Sequence, residues 1–243
     1  MRISLNKSIR VLAGVVVAAI AASSGAALAT GRAQAPSADG WISLFDGKTL
    51  TGWRGYKKKD AANTRWVINE GMLCLAPGAG TDTRGALDII TTNTYETFDL
   101  TWEWRVSEGG NSGLKYFVLE DMDSAIGHEY QMIDDERHPD AKIGPHRQTA
   151  AFYDVLAASN RPLKPAGQFN QSRVLVNGQT VEHWLNGTKV LSYELGSPEL
   201  SAAIAKSKFK DVARFGKRQN AHILVQDHGD AVCYRNIKIK PLK

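Results

Sequence analysis

Two Asn-Gly pairs constrain the fold of this chain more than any other feature. Asn177-Gly178 and Asn186-Gly187 separate three short runs that are rich in β-branched and apolar residues. Asn-Gly tolerates the positive φ angles of the tight turns that join antiparallel strands. Residues 173–195 are therefore predicted to form a three-stranded antiparallel meander.

Strand-like runs recur along the rest of the chain. Residues 66–68 and 72–75 flank a turn and predict a hairpin, and residues 98–106 alternate between apolar and polar side chains. Residues 223–226 and 231–240 are expected to form a last strand pair around a polar turn.

Helix signals are scarce. Ser197-Pro198-Glu199 supplies a cap, a first-turn proline and an early acid, which predicts a short helix to about Ala205. Residues 155–170 contain prolines and glycine and are expected to be a loop. Many short strands at regular spacing predict an all-β fold, a sandwich or jelly roll of two antiparallel sheets with one short helix.

The first 29 residues are expected to be a signal peptide. A basic start is followed by an uncharged apolar run that ends in Ala27-Leu28-Ala29, an A-x-A cleavage pattern. A transmembrane anchor is the alternative, because the run is just long enough to span a bilayer. We expect residues 30–39 to be a flexible lead-in, residues 40–243 to be one domain, and the product to be periplasmic or secreted with no stable membrane anchor.

The net charge gives no sign of a nucleic-acid partner. The formal charge of +5 falls to +2 once the three cations Arg2, Lys7 and Arg10 leave with the signal peptide. The mature domain has no basic stripe, so nucleic-acid binding is not expected. In an oxidising compartment Cys74 and Cys233 can form a disulfide, and two buried thiols are the alternative.

Two neighbouring strand-like tracts carry polar groups that favour a pocket. Asn111 and Lys115 lie in the first tract, and Glu129 and Gln131 lie two residues apart in the second. Side chains two residues apart share one face of a sheet. A carboxylate, an amide and an ammonium on one face indicate a binding or catalytic site rather than packing alone.

Other strands are expected to extend this face into a carbohydrate-sized cleft, with aromatic rings on which sugars stack. An ordinary solvated sheet face is the alternative. The further candidates at alternating positions are Glu103, Arg105, Glu182 and Trp184.

Two more specific hypotheses concern the acids and histidines around residue 134. Glu129-x-Gln131-x-x-Asp134 has the spacing of a jelly-roll glycosidase strand, although Gln131 replaces the middle acid. Asp134 and His138, with Asp135 and His146 nearby, are candidates for a divalent metal site, although their spacing fits no standard ligand pattern. The sequence requires no cofactor, and a divalent metal stays open.

The chain resembles the 3-keto-disaccharide hydrolase family over almost all of its mature length. The resemblance rests on several short motifs, among them Gly110-Asn111-Ser112-Gly113, Glu129-Tyr130-Gln131, Tyr153-Asp154, His183-Trp184-Leu185-Asn186-Gly187 and Gln226-Asp227-His228-Gly229-Asp230. It implies a concanavalin-A-like jelly roll and a small-molecule carbohydrate substrate.

The resemblance also implies a chemistry that does not need a pair of glycosidase carboxylates. A C3 ketone acidifies the C2 hydrogen, so a base can form an enolate, the C1 substituent leaves, and water adds back. For this reaction Glu129 or His146 is the candidate base, and His146 or Tyr153 the candidate proton donor. The candidate enolate stabilisers and substrate contacts are Lys115, Arg105, Gln131, Glu103, Asn111, Trp184 and His228. A lectin-like binding module and a retaining glycosidase that uses Glu129 and Asp134 are the alternatives.

Overall fold

Thirteen strands form the framework of the residues that the computed structural model describes, 36–75 and 87–243. In chain order these strands are β1 (Ile42–Ser43), β2 (Trp53–Gly55), β3 (Trp66–Asn69), β4 (Met72–Leu75), β5 (Ile89–Thr91), β6 (Phe98–Val106), β7 (Asn111–Val118), β8 (His128–Ile133), β9 (Asn170–Asn177), β10 (Thr180–Leu185), β11 (Thr188–Glu194), β12 (His222–Val225) and β13 (Val232–Pro241). The helical elements within the same ranges are α1 (Pro198–Ile204) and the 3-10 turns Pro139–Lys142 and Pro145–Arg147. None of the described helices has the length and hydropathy needed to cross a bilayer.

The strands form two antiparallel sheets that enclose one main core. The larger sheet has eight strands in the order β11-β10-β9-β6-β13-β4-β3, with β1 paired to β13. The smaller sheet has the order β2-β5-β12-β7-β8. Inward-facing aromatic rings from both sheets meet between them, as where Trp102 of β6 packs edge-on against Tyr130 of β8. The predicted all-β jelly-roll sandwich with one short helix is confirmed.

The predicted meander is confirmed as β9-β10-β11, and its two turns differ. Asn186 and Gly187 both have positive φ, as a type I′ turn requires. In the first turn Asn177 pairs with Thr180, so the loop residues are Gly178 and Gln179. Of these two only Gly178 has positive φ, which is the pattern of a type II′ turn.

The short local predictions are also confirmed. Strands β3 and β4 pair as a hairpin, and residues 155–169 contain no helix or extended strand, since β9 begins at Asn170. Helix α1 begins after Ser197, whose hydroxyl accepts a hydrogen bond from the Leu200 N–H at 3.1 Å.

The predicted last strand pair is wrong. Strand β12 lies in the smaller sheet between β5 and β7, whereas β13 lies in the larger sheet between β6 and β4. The polar segment 226–231 therefore crosses from one sheet to the other. A turn signal indicates where the chain changes direction but not which partner the next strand finds, and this crossing places His228 beside the smaller sheet.

A disulfide joins the two cysteines across neighbouring strands. Cys74 of β4 and Cys233 of β13 are directly paired in the larger sheet, and their sulfur atoms are bonded. Of the two arrangements open from the sequence, the structure has the disulfide.

A bulge in β7 changes which side chains face the core. Between the pairs Lys115–Leu224 and Val118–His222, strand β7 carries one residue more than β12. The bulge lies at Phe117, whose φ is +60°, a strained value for a bulky side chain. As a result Tyr116 and Phe117 both enter the main core, while Lys115 stays on the outer face.

The predicted signal peptide, residues 1–29, and the first part of the 30–39 lead-in lie outside the described residues.

Candidate active site

A pocket of about 410 Å³ opens on the outer face of the smaller sheet. Its floor is formed by alternate residues of β7 and β8, because the intervening side chains fill the core. Loops around residues 124–127, 208–212 and 226–228, together with Tyr153, form its walls. The volume lies in the range of small-molecule sites.

A missing side chain at Gly113 makes room for the Glu129 carboxylate. A Cβ atom on Gly113 would overlap Glu129 Oε1 and lie 2.8 Å from its Cδ. The carboxylate therefore leans over the neighbouring strand, and Glu129 is only 5% exposed. Glycine at this position is a requirement of the pocket floor and not of a turn.

Lys115 places an ammonium beside this carboxylate. Its Nζ lies 3.8 Å from Glu129 Oε2 and donates a hydrogen bond to the Ala125 carbonyl at 3.2 Å. Lys115 and Glu129 are directly paired across β7 and β8, so the sheet register fixes their separation. A base and a positive charge thus lie side by side at the floor.

A second carboxyl, Asp88, lies beneath the floor and is fully buried. Its Oδ1 accepts a hydrogen bond from the Asp227 N–H at 2.7 Å, and its Oδ2 has no protein partner among the described residues. Burial raises the pKa of Asp88 to about 6, although nearby Lys115 opposes the shift. Near neutral pH this carboxyl therefore takes up a proton more readily than an exposed aspartate.

The oxygens of two side-chain amides at the pocket likewise have no hydrogen-bond donor as a partner within the part of the chain that the structure describes. Asn111 Oδ1 and Gln226 Oε1 are buried acceptors without a protein hydrogen bond in the described residues. A buried acceptor without a partner is costly. The floor therefore offers acceptors to a ligand rich in hydroxyl donors, such as a sugar.

Tyr153 forms one wall and is held from two sides. The Lys208 Nζ lies 4.2 Å from its ring centroid, and the Arg147 guanidinium lies 5.5 Å from it. Burial raises the Tyr153 pKa, and a hydrogen bond to Asp140 raises it further. The hydroxyl therefore stays protonated, with its proton shared with Asp140. Desolvation of the Lys208 ammonium lowers its pKa, although much of this side chain remains exposed.

His228 stands at the rim of the floor, between an amide and a carboxylate. Its Nε2 lies 3.3 Å from Asn111 Nδ2, and its Nδ1 lies 3.5 Å from Asp230 Oδ2. The same Asp230 oxygen accepts the Asn111 backbone N–H at 3.0 Å. One strand residue thus fixes both members of the His-Asp pair.

The structure brings together six of the residues predicted from the sequence. The six that line the pocket are Asn111, Lys115, Glu129, Gln131, Tyr153 and His228.

Three predicted substrate-binding residues do not lie at the pocket. Glu103 and Arg105 belong to β6 and Trp184 to β10, and both strands are in the larger sheet. Glu103 pairs with Arg235 at 2.7 Å, and Arg105 lies over the Phe169 ring. The prediction that these side chains share a face with Glu129 is wrong. Alternation identifies the outward side of a strand, but a sandwich has two outward sides.

His146, predicted as a base or proton donor, lies outside the pocket lining. Its Nε2 is 3.8 Å from Asp154 Oδ1, and its side chain is 38% exposed. The 3-10 turn Pro145–Arg147 directs Arg147, and not His146, toward Tyr153.

The predicted metal pair of Asp134 and His138 is not assembled. The Asp134 carboxylate accepts the backbone N–H groups of Gly109, Glu136 and Arg137, so it closes a turn. His138 instead approaches His228 and Asp230, and one ligand atom from each lies within 4.8 Å of the others.

Sequence reasoning missed several pocket residues, among them the polar residues Asp88, Lys208 and Gln226. Asp88 precedes a strand of only three residues, and Lys208 lies in a loop distant in sequence. Ser207-Lys208-Phe209 is one of the motifs behind the family resemblance, and this was the available signal for Lys208.

Comparison with known proteins now decides the family. The family model described as "3-keto-alpha-glucoside-1,2-lyase-like domain" matches residues 40–240. The chain belongs to this family. The resemblance predicted from the motifs is thereby confirmed.

Relatives of this chain include a curated sequence and crystal structures. A 3-keto-disaccharide hydrolase from Bacteroides thetaiotaomicron is 36% identical over 231 residues, which cover 84% of this chain and 79% of the relative. A candidate glycosyl hydrolase from Parabacteroides distasonis is 30% identical with a TM-score of 0.75, covering 85% of this chain and 95% of its own. A second such protein from that organism is 25% identical with a TM-score of 0.60, covering 83% and 99%.

Proposed function

We propose that this protein is a carbohydrate hydrolase that cleaves 3-keto-glycosides, including 3-keto-disaccharides, by elimination and rehydration. Family membership and the 36% identical 3-keto-disaccharide hydrolase support a sugar hydrolase. The observation that carries the proposed mechanism is the Glu129–Lys115 pair over the vacancy at Gly113.

The pocket floor carries a base and a cation for the first step, the removal of the C2 proton. The Glu129 carboxylate takes the C2 proton, and the C–H electron pair forms the C2–C3 double bond of an enolate. The Lys115 ammonium stabilises the negative charge that develops on the C3 oxygen. A base and an electrostatic partner held at fixed separation need no rearrangement during the reaction.

The later steps complete a hydrolysis. The enolate expels the C1 substituent, whose oxygen leaves with a proton, and the ring is left with a C1–C2 double bond conjugated to the ketone. Water then adds at C1, and C2 regains a proton from Glu129. The net reaction consumes one water and releases a 3-keto sugar and the aglycone.

A retaining glycosidase mechanism finds less support in the geometry. Glu129 lines this pocket, whereas Asp134 caps a turn and lines a separate cavity beside Trp104. A retaining pair needs two carboxyls about 5 Å apart on one substrate bond. The alternative in which Glu129 and Asp134 form that pair is therefore not favoured.

Replacement of Glu129 by glutamine tests the proposal. Wild-type protein should cleave a 3-keto-glucoside and leave the unoxidised glucoside intact. Glu129→Gln should lower kcat for the keto substrate ~100-fold or more, because the amide cannot accept the C2 proton. Stopped assays with chromatographic product analysis measure both rates.

A matched control is available on the opposite sheet. Glu182 is partly buried and pairs with Lys189 at 2.9 Å, much as Glu129 pairs with Lys115. Glu182→Gln should leave kcat within about twofold of wild type, since surface pairs contribute little. Equal cleavage of the unoxidised glucoside, or binding of both sugars without product, would refute the proposed reaction.

We also propose that the protein is exported before it acts. The signal-like segment 1–29 supports this, and so does the Cys74–Cys233 disulfide, because disulfides persist in oxidising compartments.

A further inference from the structure

The segment between β12 and β13 holds His228 in a fixed place at the pocket. Arg65 donates hydrogen bonds from two nitrogens to the carboxylate of Asp227, which is fully buried. The same carboxylate accepts the Gly229 N–H at 3.0 Å, and Gly229 has φ +97°, which favours glycine. The backbone on both sides of His228 is thereby fixed.

The contacts of His228 define the polarity of its ring. Asn111 Nδ2 lies 3.3 Å from His228 Nε2, and Asn111 Oδ1 has no partner among the described residues, so the amide can donate to Nε2 of the neutral ring and, once turned, accept from Nε2 of the protonated ring. The proton of the neutral ring then lies on Nδ1, which faces Asp230 Oδ2 at 3.5 Å. His228 thus presents Nε2 to the pocket, with a carboxylate behind it, which is the arrangement of an oriented general acid-base histidine.

Asp230 is suited to stay ionised behind the ring. Although burial opposes it, the hydrogen bond and charge of His228 and the Asn111 N–H lower the pKa of Asp230. An ionised Asp230 stabilises a positive charge on His228 when Nε2 takes up a proton.

The neighbouring His138 argues against a metal at this cluster. Its Nδ1 accepts the Asp140 N–H at 3.1 Å, so its Nε2 carries the hydrogen. A nitrogen that carries hydrogen cannot bind a cation. The His138–His228–Asp230 group therefore does not present three free ligand atoms to a cation.

Strand β7 sets the distance between His228 and the base. His228 Nε2 meets the side chain of Asn111, and the Glu129 carboxylate lies over Gly113, two residues further along the same face. Two residues of a strand span roughly 7 Å. With a hydrogen-bond reach of about 3 Å at each end, this span fits the C2 hydrogen and the C1 oxygen of one sugar ring.

We propose that His228, oriented by Asp230, is the general acid of the elimination and the general base of the rehydration. This assignment rests on the proposed function. The protonated ring gives its Nε2 proton to the glycosidic oxygen as the C1–O bond breaks. In the second half, Nε2 takes a proton from the water that forms the new C1–O bond, which restores the protonated ring.

Leaving-group dependence tests this role. An aryl leaving group such as 4-nitrophenolate needs no proton, whereas a methyl or sugar alkoxide does. His228→Asn should lower kcat/KM for methyl 3-keto-glucoside ~100-fold, but for the 4-nitrophenyl compound by less than about threefold. Asp230→Asn should show the same pattern with a smaller loss, and Glu129→Gln should lower the rate with both substrates.

His222 provides the matched control. It is a partly buried histidine with a carboxylate, Glu120, at 3.7 Å, and it does not line the pocket. His222→Gln should leave both rates within about twofold of wild type. Thermal melts of each variant confirm folding, and the Asp230→Asn result decides if His228→Asn does not fold.

Three outcomes would overturn the assignment. An equal loss with both leaving groups would mean that His228 positions the substrate without transferring the proton. Inactivation of the wild type by a chelator, with recovery on added Mn²⁺ or Zn²⁺, would mean that the cluster binds a metal. A wild type that cleaves neither keto substrate would refute the proposed function itself, and with it this role.

Discussion

At the scale of single residues, the site depends on the missing side chain of Gly113 as much as on its charged groups. The carboxylate of Glu129 occupies the space that any other residue at position 113 would fill. Sequence alternation predicted that Lys115, Glu129 and Gln131 share a face, and the structure places all three at the pocket. It gave no reason for Gly113, because a glycine inside a strand ordinarily indicates only a bulge or close approach.

Gly113→Ala should therefore impair catalysis more than folding. The added Cβ would meet the end of a flexible side chain, so Glu129 can turn away at modest cost to stability. We expect kcat to fall at least ~10-fold, with a Tm change of only a few degrees. Steady-state kinetics and a thermal melt of the same preparation measure the two effects.

Gly127→Ala provides the contrast. A Cβ at that position would lie 2.7 Å from the Tyr116 carbonyl oxygen, which is backbone and cannot turn away. Its Tm should fall clearly below that of Gly113→Ala. A Gly113→Ala protein with wild-type kcat would show that the position of the Glu129 carboxylate is not critical.

At the scale of elements, a buried polar chain ties the loop over the pocket to the core. His128 of β8 accepts the Gly216 N–H at 3.0 Å, and Tyr193 links His128 to Tyr116 and from there to His183. Burial lowers the pKa of His128 to about 3 and that of His183 to about 4. Both rings are therefore neutral in the folded protein at neutral pH.

Stability should fall as the pH falls below about 6.5, the ordinary histidine pKa. Below that pH the unfolded chain binds protons at both positions and the folded chain does not, so the stabilisation present at higher pH is lost. By pH 5 each histidine should lower the free energy of unfolding by ~2 kcal/mol relative to its value at neutral pH. The raised pKa of Asp88 acts in the opposite direction, because at this position the folded chain binds a proton more tightly than the unfolded chain. It offsets ~1 kcal/mol of the loss.

Urea unfolding at pH 8 and pH 5 measures this difference. His128→Gln should reduce the loss between the two pH values, although it lowers stability at both. An unchanged unfolding free energy between pH 8 and pH 5 would contradict the assignment of neutral buried histidines.

Element-level features also show what sequence could and could not predict. Turn chemistry located the meander and the β3–β4 hairpin because their partners are neighbours in the chain. The partners of β12 and β13 are distant in sequence, so the local turn signal at 227–230 predicted a pairing that does not form. The wrong placement of Glu103, Arg105 and Trp184 has the same cause, since strand period does not identify the sheet.

At the scale of the whole molecule, the pocket and the disulfide lie on different sheets. The smaller sheet carries the pocket on its outer face, and the larger sheet carries the disulfide between Cys74 and Cys233. The disulfide closes 159 residues of chain, so it restricts the unfolded state strongly. Its loss should therefore lower stability without altering the pocket.

Export and disulfide formation can be tested together. In a Gram-negative host the full chain should appear in the periplasmic fraction with no free thiols, and a variant without residues 2–29 should stay in the cytosol with two. Reduction should lower the free energy of unfolding by ~2–5 kcal/mol. The kcat of the reduced protein at 25 °C should remain within about twofold of that of the oxidised protein, because the disulfide does not line the pocket. Thiol titration, urea unfolding and steady-state kinetics measure these three properties. Free thiols in periplasmic protein, or loss of kcat on reduction, would contradict this.

The vacancy over β7 has a consequence for how this site can change over generations of related sequences. A side chain at position 113 excludes the glutamate at position 129 from its present carboxylate position, because their atoms would occupy the same space. The two positions should consequently covary: wherever a relative carries alanine or serine at the equivalent of Gly113, a shorter acid such as aspartate is expected opposite it. A single change at position 113 would displace the Glu129 carboxylate and lower activity, whereas the paired change would keep room for an acid at position 129.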